Sequence, residues 1–134
     1  MRLVIIVLLV LVSNEIGALD FKPFPSANIS VDQWQDYRNK VVETCGEPQQ
    51  IVAEQKLEKF QCAELGVNLA FTQQGHPAHP AWIARQPVQT GDGIHIRTIG
   101  YFAGLEPPFA ELFKQYLELN EKIKSDFETK NTAQ

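Results

Sequence analysis

The sequence has 134 residues and a net charge of −4, from 12 basic and 16 acidic side chains. This length suits a single domain with its own apolar core. Nucleic acids and anionic membranes attract clustered Lys and Arg, so an acidic chain with scattered basic residues is not expected to have either as its main partner.

Residues 1–18 have the organisation of a secretory signal peptide. Arg2 supplies a basic start, an apolar run covers residues 3–12, and a short segment ending in small residues follows up to Ala18. The apolar run is much shorter than the roughly 20 residues that span a bilayer. We expect cleavage after Ala18, location in the periplasm or outside the cell, and no membrane span in residues 19–134. An uncleaved N-terminal anchor is the alternative.

Cys45 and Cys62 are the two cysteines of the sequence, and in an exported protein they are expected to form a disulfide. Ser30 and Gln33 have the spacing of a capping box, and apolar residues then recur every three or four positions up to Cys45. This pattern predicts a helix over residues 31–45, with Cys45 on its buried stripe. Cys62 lies in an apolar strand, so the bond would connect the helix to the sheet. A reactive cysteine would require a neighbouring base or a C-x-x-C spacing, and neither is visible.

Residues 19–29 contain two prolines and little periodicity, which predicts an extended lead-in. The following segments alternate between apolar and polar residues and are separated by turn residues. They predict four to five antiparallel strands, at about 50–55, 59–65, 67–71, 82–88 and 94–103. Pro87 favours an edge position for its strand, and residues 90–93 favour a hairpin turn.

Pro107 and Pro108 predict the start of a second helix, because proline is tolerated in the first turn. Apolar residues recur at helical spacing as far as Phe127, and residues 130–134 are expected to fray. The fold class is therefore α+β, with an N-terminal helix, an antiparallel β-meander and a long C-terminal helix packed on the sheet. We expect one domain over residues 30–129, built of two layers with both helices on the same face of the sheet.

The segment 75–82 is proline-rich and carries two histidines, His76 and His79. In a polyproline II conformation, residues three apart project from the same side. His95 is expected on the strand that pairs with the one following this segment, and three imidazoles could bind zinc or copper if they converge. The alternative is a surface loop that proline stiffens and that binds no metal.

A second segment, residues 100–109, is rich in aromatic residues and glycine. It could form a recognition surface, or it could be a strand-to-helix corner whose aromatic side chains fill the core. Both segments supply candidates for contact with a ligand or partner, and these are His76, His79, Trp82 and Tyr101.

No catalytic arrangement is recognisable, because Ser26, Ser30 and Ser125 lie outside any nucleophile-elbow context. The favoured hypothesis is an exported, non-enzymatic binding or accessory domain that contacts an envelope or extracellular protein or a small ligand. The first alternative is a metal-binding protein that uses the three histidines. The second is a small hydrolase or isomerase, in which His79 or His95 acts as a base beside a carboxylate within hydrogen-bond reach.

Overall fold

The computed structural model describes residues 19–132, with side chains as far as residue 130. The elements are, in chain order, α1 (Val31–Cys45), β1 (Gln50–Val52), β2 (Leu57–Cys62), β3 (Val67–Thr72), β4 (Ala81–Thr90), β5 (Gly93–Phe102) and α2 (Glu106–Thr132). This order and the Cys45–Cys62 disulfide confirm the predicted fold class. The predicted signal peptide and its cleavage site lie outside the described residues. Within residues 19–132, no helix combines the length and the apolar character needed to cross a membrane.

The five strands form one antiparallel sheet in which each strand pairs with its neighbours in sequence. Phe60 of β2 pairs with Leu69 of β3, which pairs with Ala84 of β4, so these three side chains share one face. Ala70 and Ile83 also pair, and they point to the opposite face because side chains alternate along a strand. The first face is named the α1 face and the second the α2 face, after the helix that packs on each.

Aromatic residues dominate the α1 face. Trp34, Tyr37 and Val41 of α1 pack there against the apolar side chains of β2 to β5. Trp82 of β4 is fully buried at the centre of this cluster. The ring of Tyr37 stacks on it with 4.3 Å between centroids and 12° between planes. Phe71, which pairs with Trp82 across β3 and β4, lies beside both rings, with its centroid 5.4 Å from that of Trp82.

The second helix packs on the α2 face, in a separate apolar cluster. Phe109 of α2 stacks on Phe102 of β5 with 4.7 Å between ring centroids. A Cβ atom at Gly100 would lie 2.7 Å from the Phe109 ring, so glycine allows this close approach of helix and sheet. The predicted two-layer arrangement is therefore wrong, because the helices cover opposite faces and the domain has three layers. The reason lies in residues 81–84, which are all buried. Consecutive side chains of a strand point to opposite faces, so a run of buried residues requires that both faces of the sheet be covered.

The predicted lead-in, residues 19–29, contains two bends and a single β-bridge at Asn28, and it is attached to the α1 face. The hydroxyl of Tyr37 donates to the carbonyl of Asp20 at 2.8 Å, and that of Tyr101 donates to the carbonyl of Phe24 at 2.9 Å. Backbone hydrogen bonds also connect residues 27 and 29 to Phe102. The lead-in is thus a structural strap that closes the aromatic core.

Local signals in the sequence account for most element boundaries. The Ser30 hydroxyl accepts from the Gln33 amide at 3.1 Å, and the Gln33 side chain accepts from the Ser30 amide, which is the expected capping box. The turn between β1 and β2 falls at residues 53–56, earlier than expected, because the buried Leu57 already belongs to β2. β4 pairs with β3 only as far as Arg85, so Pro87 lies where no amide is required on that side. α2 continues to Thr132, past the expected end of the domain at residue 129.

Removing the disulfide is expected to lower the free energy of unfolding by about 3 kcal/mol, because a loop of this size then opens in the unfolded chain. The melting temperature of a Cys45→Ala/Cys62→Ala variant should fall by about 10–15 °C. Thermal and urea unfolding followed by circular dichroism measure both quantities. Wild-type protein with its disulfide reduced is the control and should match the variant. An unchanged midpoint would show that the bond does not stabilise the contact between α1 and β2.

Candidate ligand-binding cleft

The second helix covers only part of the α2 face. It contacts β4 and β5, and the same face of β2 and β3 is left partly open beside it. The opening is a cleft of about 280 Å³ whose floor is the sheet and whose wall is Tyr116 of α2. Its other lining residues come from β1 to β4 and from the segment before β1, and they are Gln49, Gln50, Lys59, Phe60, Gln61, Asn68, Leu69, Ala70 and Arg85.

Polar side chains form a row across the floor of this cleft. Gln61 of β2 pairs with Asn68 of β3, and Asn68 pairs with Arg85 of β4. Directly opposed side chains of paired strands lie about 5 Å apart. Lys59 is two residues before Gln61 and therefore points to the same face. Strand pairing thus brings two cations and two amides onto one surface.

Arg85 is held in place by neutral neighbours. Its Nη1 donates to Oδ1 of Asn120 at 3.3 Å, and its guanidinium lies 4.9 Å from the centre of the Tyr116 ring. Asn120 is itself fixed, because its Nδ2 donates to the hydroxyl of Thr98 at 2.7 Å. Burial lowers the pKa of Arg85, but an arginine is still charged at neutral pH. Within residues 19–130, no carboxylate forms an ion pair with this guanidinium.

The other polar groups of the row are also free to bind. In the part of the chain that the structure describes, the side chains of Lys59, Gln61 and Asn68 make no hydrogen bonds. No Asp or Glu is among the residues that line the cleft. A concave surface with two positive charges attracts anions, although the whole chain carries a net charge of −4. This surface is named the cationic cleft.

A second hollow adjoins the cationic cleft and shares Lys59 and Tyr116 with it. It has a volume of about 380 Å³ and lies between α2 and the start of β2. Its apolar side chains are Leu57, Leu112 and Leu119. The first two are buried, whereas Leu119 is 38% exposed. The hollow, named the apolar hollow, is completed by Gln55, His76 and Gln115.

Two of the predicted partner-binding residues are in the core. Trp82 is 0% exposed and Tyr101 is 1% exposed, so neither offers a side chain to a partner, and the prediction is wrong for both. Their strand positions place them on the α1 face under Tyr37 and the strap. The alternative interpretation of residues 100–109, a corner whose aromatic side chains fill the core, is the one that the burial supports.

The side chains of the two histidines in the proline-rich loop make hydrogen bonds within the loop and to the end of β3. Nδ1 of His76 accepts from the amide of Ala78 at 2.9 Å. Nδ1 of His79 lies 2.8 Å from the hydroxyl and 3.1 Å from the carbonyl of Thr72. The buried Thr72 hydroxyl also bonds to the backbone of Ala81, so this network fixes the ends of β3 and β4. His76 lines the apolar hollow, and His79 lies edge-on to Trp34 on the α1 side.

The predicted three-histidine metal site is not formed. His95 lies on the β4–β5 hairpin, beside Leu117 and Glu121 of α2. Among the residues with described side chains, no three of His, Cys, Asp and Glu are grouped so that they could hold a metal ion. The hairpin extends beyond β3, which carries His95 away from the loop of His76 and His79.

The base–carboxylate pair of the predicted enzyme is not formed either. Burial lowers the pKa of the His79 imidazole, and the carboxylate of Glu58 only partly opposes this shift. Both oxygens of Glu58 accept from Arg38, each at 3.0 Å. Within residues 19–130, no hydrogen bond or ion pair connects His79 or His95 to a carboxylate.

The sequence-based predictions do not include the residues of the cationic cleft, although two features of the sequence indicate them. Asn120 continues the buried stripe of α2, at a spacing of four residues from Tyr116, where an apolar side chain is the rule. Lys59, Asn68 and Arg85 each lie next to a buried residue of their strand, and their side chains therefore point to the face opposite to that residue. In a two-layer domain, polar side chains at these positions would face solvent. In this domain the second helix covers part of the same face, and these side chains line a cleft beside it.

The chain matches no protein-family model, no curated protein and no solved structure.

Acidification is expected to destabilise the protein through His76 and His79. Burial is the largest cause that lowers the pKa of each below the usual 6.5. As the pH falls through about 6.5, the unfolded chain takes up protons first. The stabilisation that the neutral imidazoles provide is therefore complete above this pH and is lost below it. Urea unfolding at pH 7.5 and 5.5 should show a smaller loss for a His76→Asn/His79→Asn variant than for wild type, and equal losses would contradict this.

Proposed function

We propose that the chain is an exported, non-enzymatic binding domain that holds a small ligand in the cationic cleft. One observation carries this proposal. Arg85 is half-buried and charged, and within the described residues it pairs with no carboxylate. It lies in a concave surface in which the side chains of Lys59, Gln61 and Asn68 make no hydrogen bonds within the described residues.

Removing a charge from water costs free energy when no opposite charge compensates it. Buried charges in proteins are normally paired, because desolvation is offset only by an opposite charge or by full hydrogen bonding. The half-buried guanidinium of Arg85 bears part of this cost. Arg85 has five N–H donors, and Asn120 accepts from its Nη1. A ligand with an acid group would supply the missing charge and acceptors. We infer from this that the ligand contains an anion.

Export is supported by the disulfide, which is compatible with a periplasmic or extracellular location, and by the predicted signal peptide. If the full chain is expressed in its native host, the exported fraction should begin at Leu19. N-terminal sequencing or intact mass spectrometry measures this. Recovery of the protein only inside the cytoplasm, with residues 1–18 still present, would contradict export.

Binding is tested with a panel of fragment-sized organic anions, cations and neutral compounds, titrated into ¹⁵N-labelled protein. Anions are expected to shift the amide signals of Lys59, Asn68 and Arg85 in a saturable manner. Arg85→Gln should weaken this binding by about tenfold or more, because hydrogen bonds to charged groups contribute about 1.5–3 kcal/mol. The matched control is Arg97→Gln, which removes the same charge from the opposite face of the sheet, where Arg97 lies over Phe21.

Asn120→Asp provides a sharper variant, because it changes one group and retains the shape of the side chain. The new carboxylate would lie at hydrogen-bond distance from Arg85 and would neutralise it. We expect anion binding to be lost and folding to be retained. If no compound shifts the cleft signals, or if Arg97→Gln and Arg85→Gln have equal effects, the proposed binding site is wrong.

A further inference from the structure

The cationic cleft and the apolar hollow meet at Lys59 and Tyr116, which line both. A molecule that occupied both would have its charged end in the first and its apolar part in the second. Their volumes of about 280 and 380 Å³ add to a space within the range of roughly 300–1,000 Å³ that small-molecule sites occupy.

On the basis of the proposed function, we infer that the ligand is an amphipathic acid, in which one carboxylate or phosphate monoester group is attached to an unbranched apolar chain. The acid group binds to Arg85 and Lys59. The apolar chain passes Tyr116 and lies against Leu57, Leu112 and Leu119.

The donors of the cleft suit an oxyanion. The planar guanidinium of Arg85 presents parallel N–H groups, which match the two oxygens of a carboxylate or a phosphate. Lys59 adds a second positive charge, and the amides of Gln61 and Asn68 add neutral donors on the same face. Asn120 and Tyr116 hold the guanidinium in position from the side of α2, so little side-chain freedom remains to be lost on binding.

The hollow suits a hydrocarbon chain. Three leucines face it, one from β2 and two from α2. Leu119 is 38% exposed in the unliganded protein, and covering it removes apolar surface from water at roughly 25 cal/mol per Å². No carboxylate lines the hollow. Its polar groups are the amides of two glutamines, the hydroxyl of Tyr116, the imidazole of His76 and the ammonium group of Lys59. It therefore has nothing that would repel an acid or hold a cationic amine.

The test compares four probes by the same NMR titration, namely octanoate, octyl phosphate, acetate and octylamine. We expect octanoate or octyl phosphate to bind at least tenfold more tightly than acetate and octylamine, and to shift signals in both the cleft and the hollow. The preferred head group is given by the tighter of the two octyl acids. The inference would be overturned if acetate bound as tightly as octanoate, or if octylamine bound as tightly as the octyl acids.

A pair of leucine variants separates the chain-binding step from general effects on the helix. Leu119→Ser should weaken octanoate binding about fivefold and leave acetate binding unchanged. Leu117→Ser is the matched control, because Leu117 is similarly exposed on the same helix but lies beside His95, and it should change neither. Equal loss of octanoate binding in both variants would contradict the assignment of the hollow.

The failures of the two proposals are distinguishable. If short anions bind in the cleft and the octyl chain adds nothing, the proposed function stands and the amphipathic ligand is wrong. If none of the four probes shifts the signals of Lys59, Asn68 and Arg85, both proposals fail.

Discussion

Tyr37 of α1 lies flat on Trp82 of β4, with 4.3 Å between their ring centroids, at the centre of one face of the sheet. Both side chains are buried, and stacked aromatic pairs contribute about 0.5–1.5 kcal/mol beyond the area that they bury. The Tyr37 hydroxyl also holds the strap through Asp20. This contact, together with the Cys45–Cys62 bond at the end of α1, fixes the first helix on the α1 face.

The second helix must then bury its apolar stripe on the opposite face, where the apolar surface is smaller. Ala70, Ile83 and Phe102 provide an anchor for α2 over β3 to β5, but toward β2 the same face becomes polar. The helix therefore leaves an open margin, in which Arg85 is half-buried with neutral neighbours. The candidate site is therefore a consequence of helix packing, because α1 already occupies the more apolar face of the sheet.

Much of the fold could be predicted from local signals. The bounds of α1 follow from the capping box at Ser30 and from Gly46, and the disulfide follows from the context of two cysteines. The assignment of each helix to a face could not be predicted from periodicity, because small residues such as Ala70 and Ala81 give little apolar contrast. The wrong assignment of the helices to one face also affects the prediction of the site. The sequence therefore predicts Trp82 as a partner-binding candidate. It gives no sign of a site at Arg85 on the other face, because the environment of Arg85 depends on a helix that begins 21 residues later in the chain.

The proposed site depends on the binding of an anion by Arg85, which pairs with no carboxylate within the described residues. The most direct measurement is the ¹H–¹⁵N signal of the arginine Nε–H groups during titration with octanoate at constant pH and ionic strength. We predict a saturable shift for Arg85 and none for Arg97, which lies over Phe21 on the opposite face. An unchanged Arg85 signal at saturating octanoate, or equal shifts of both arginines, would contradict it.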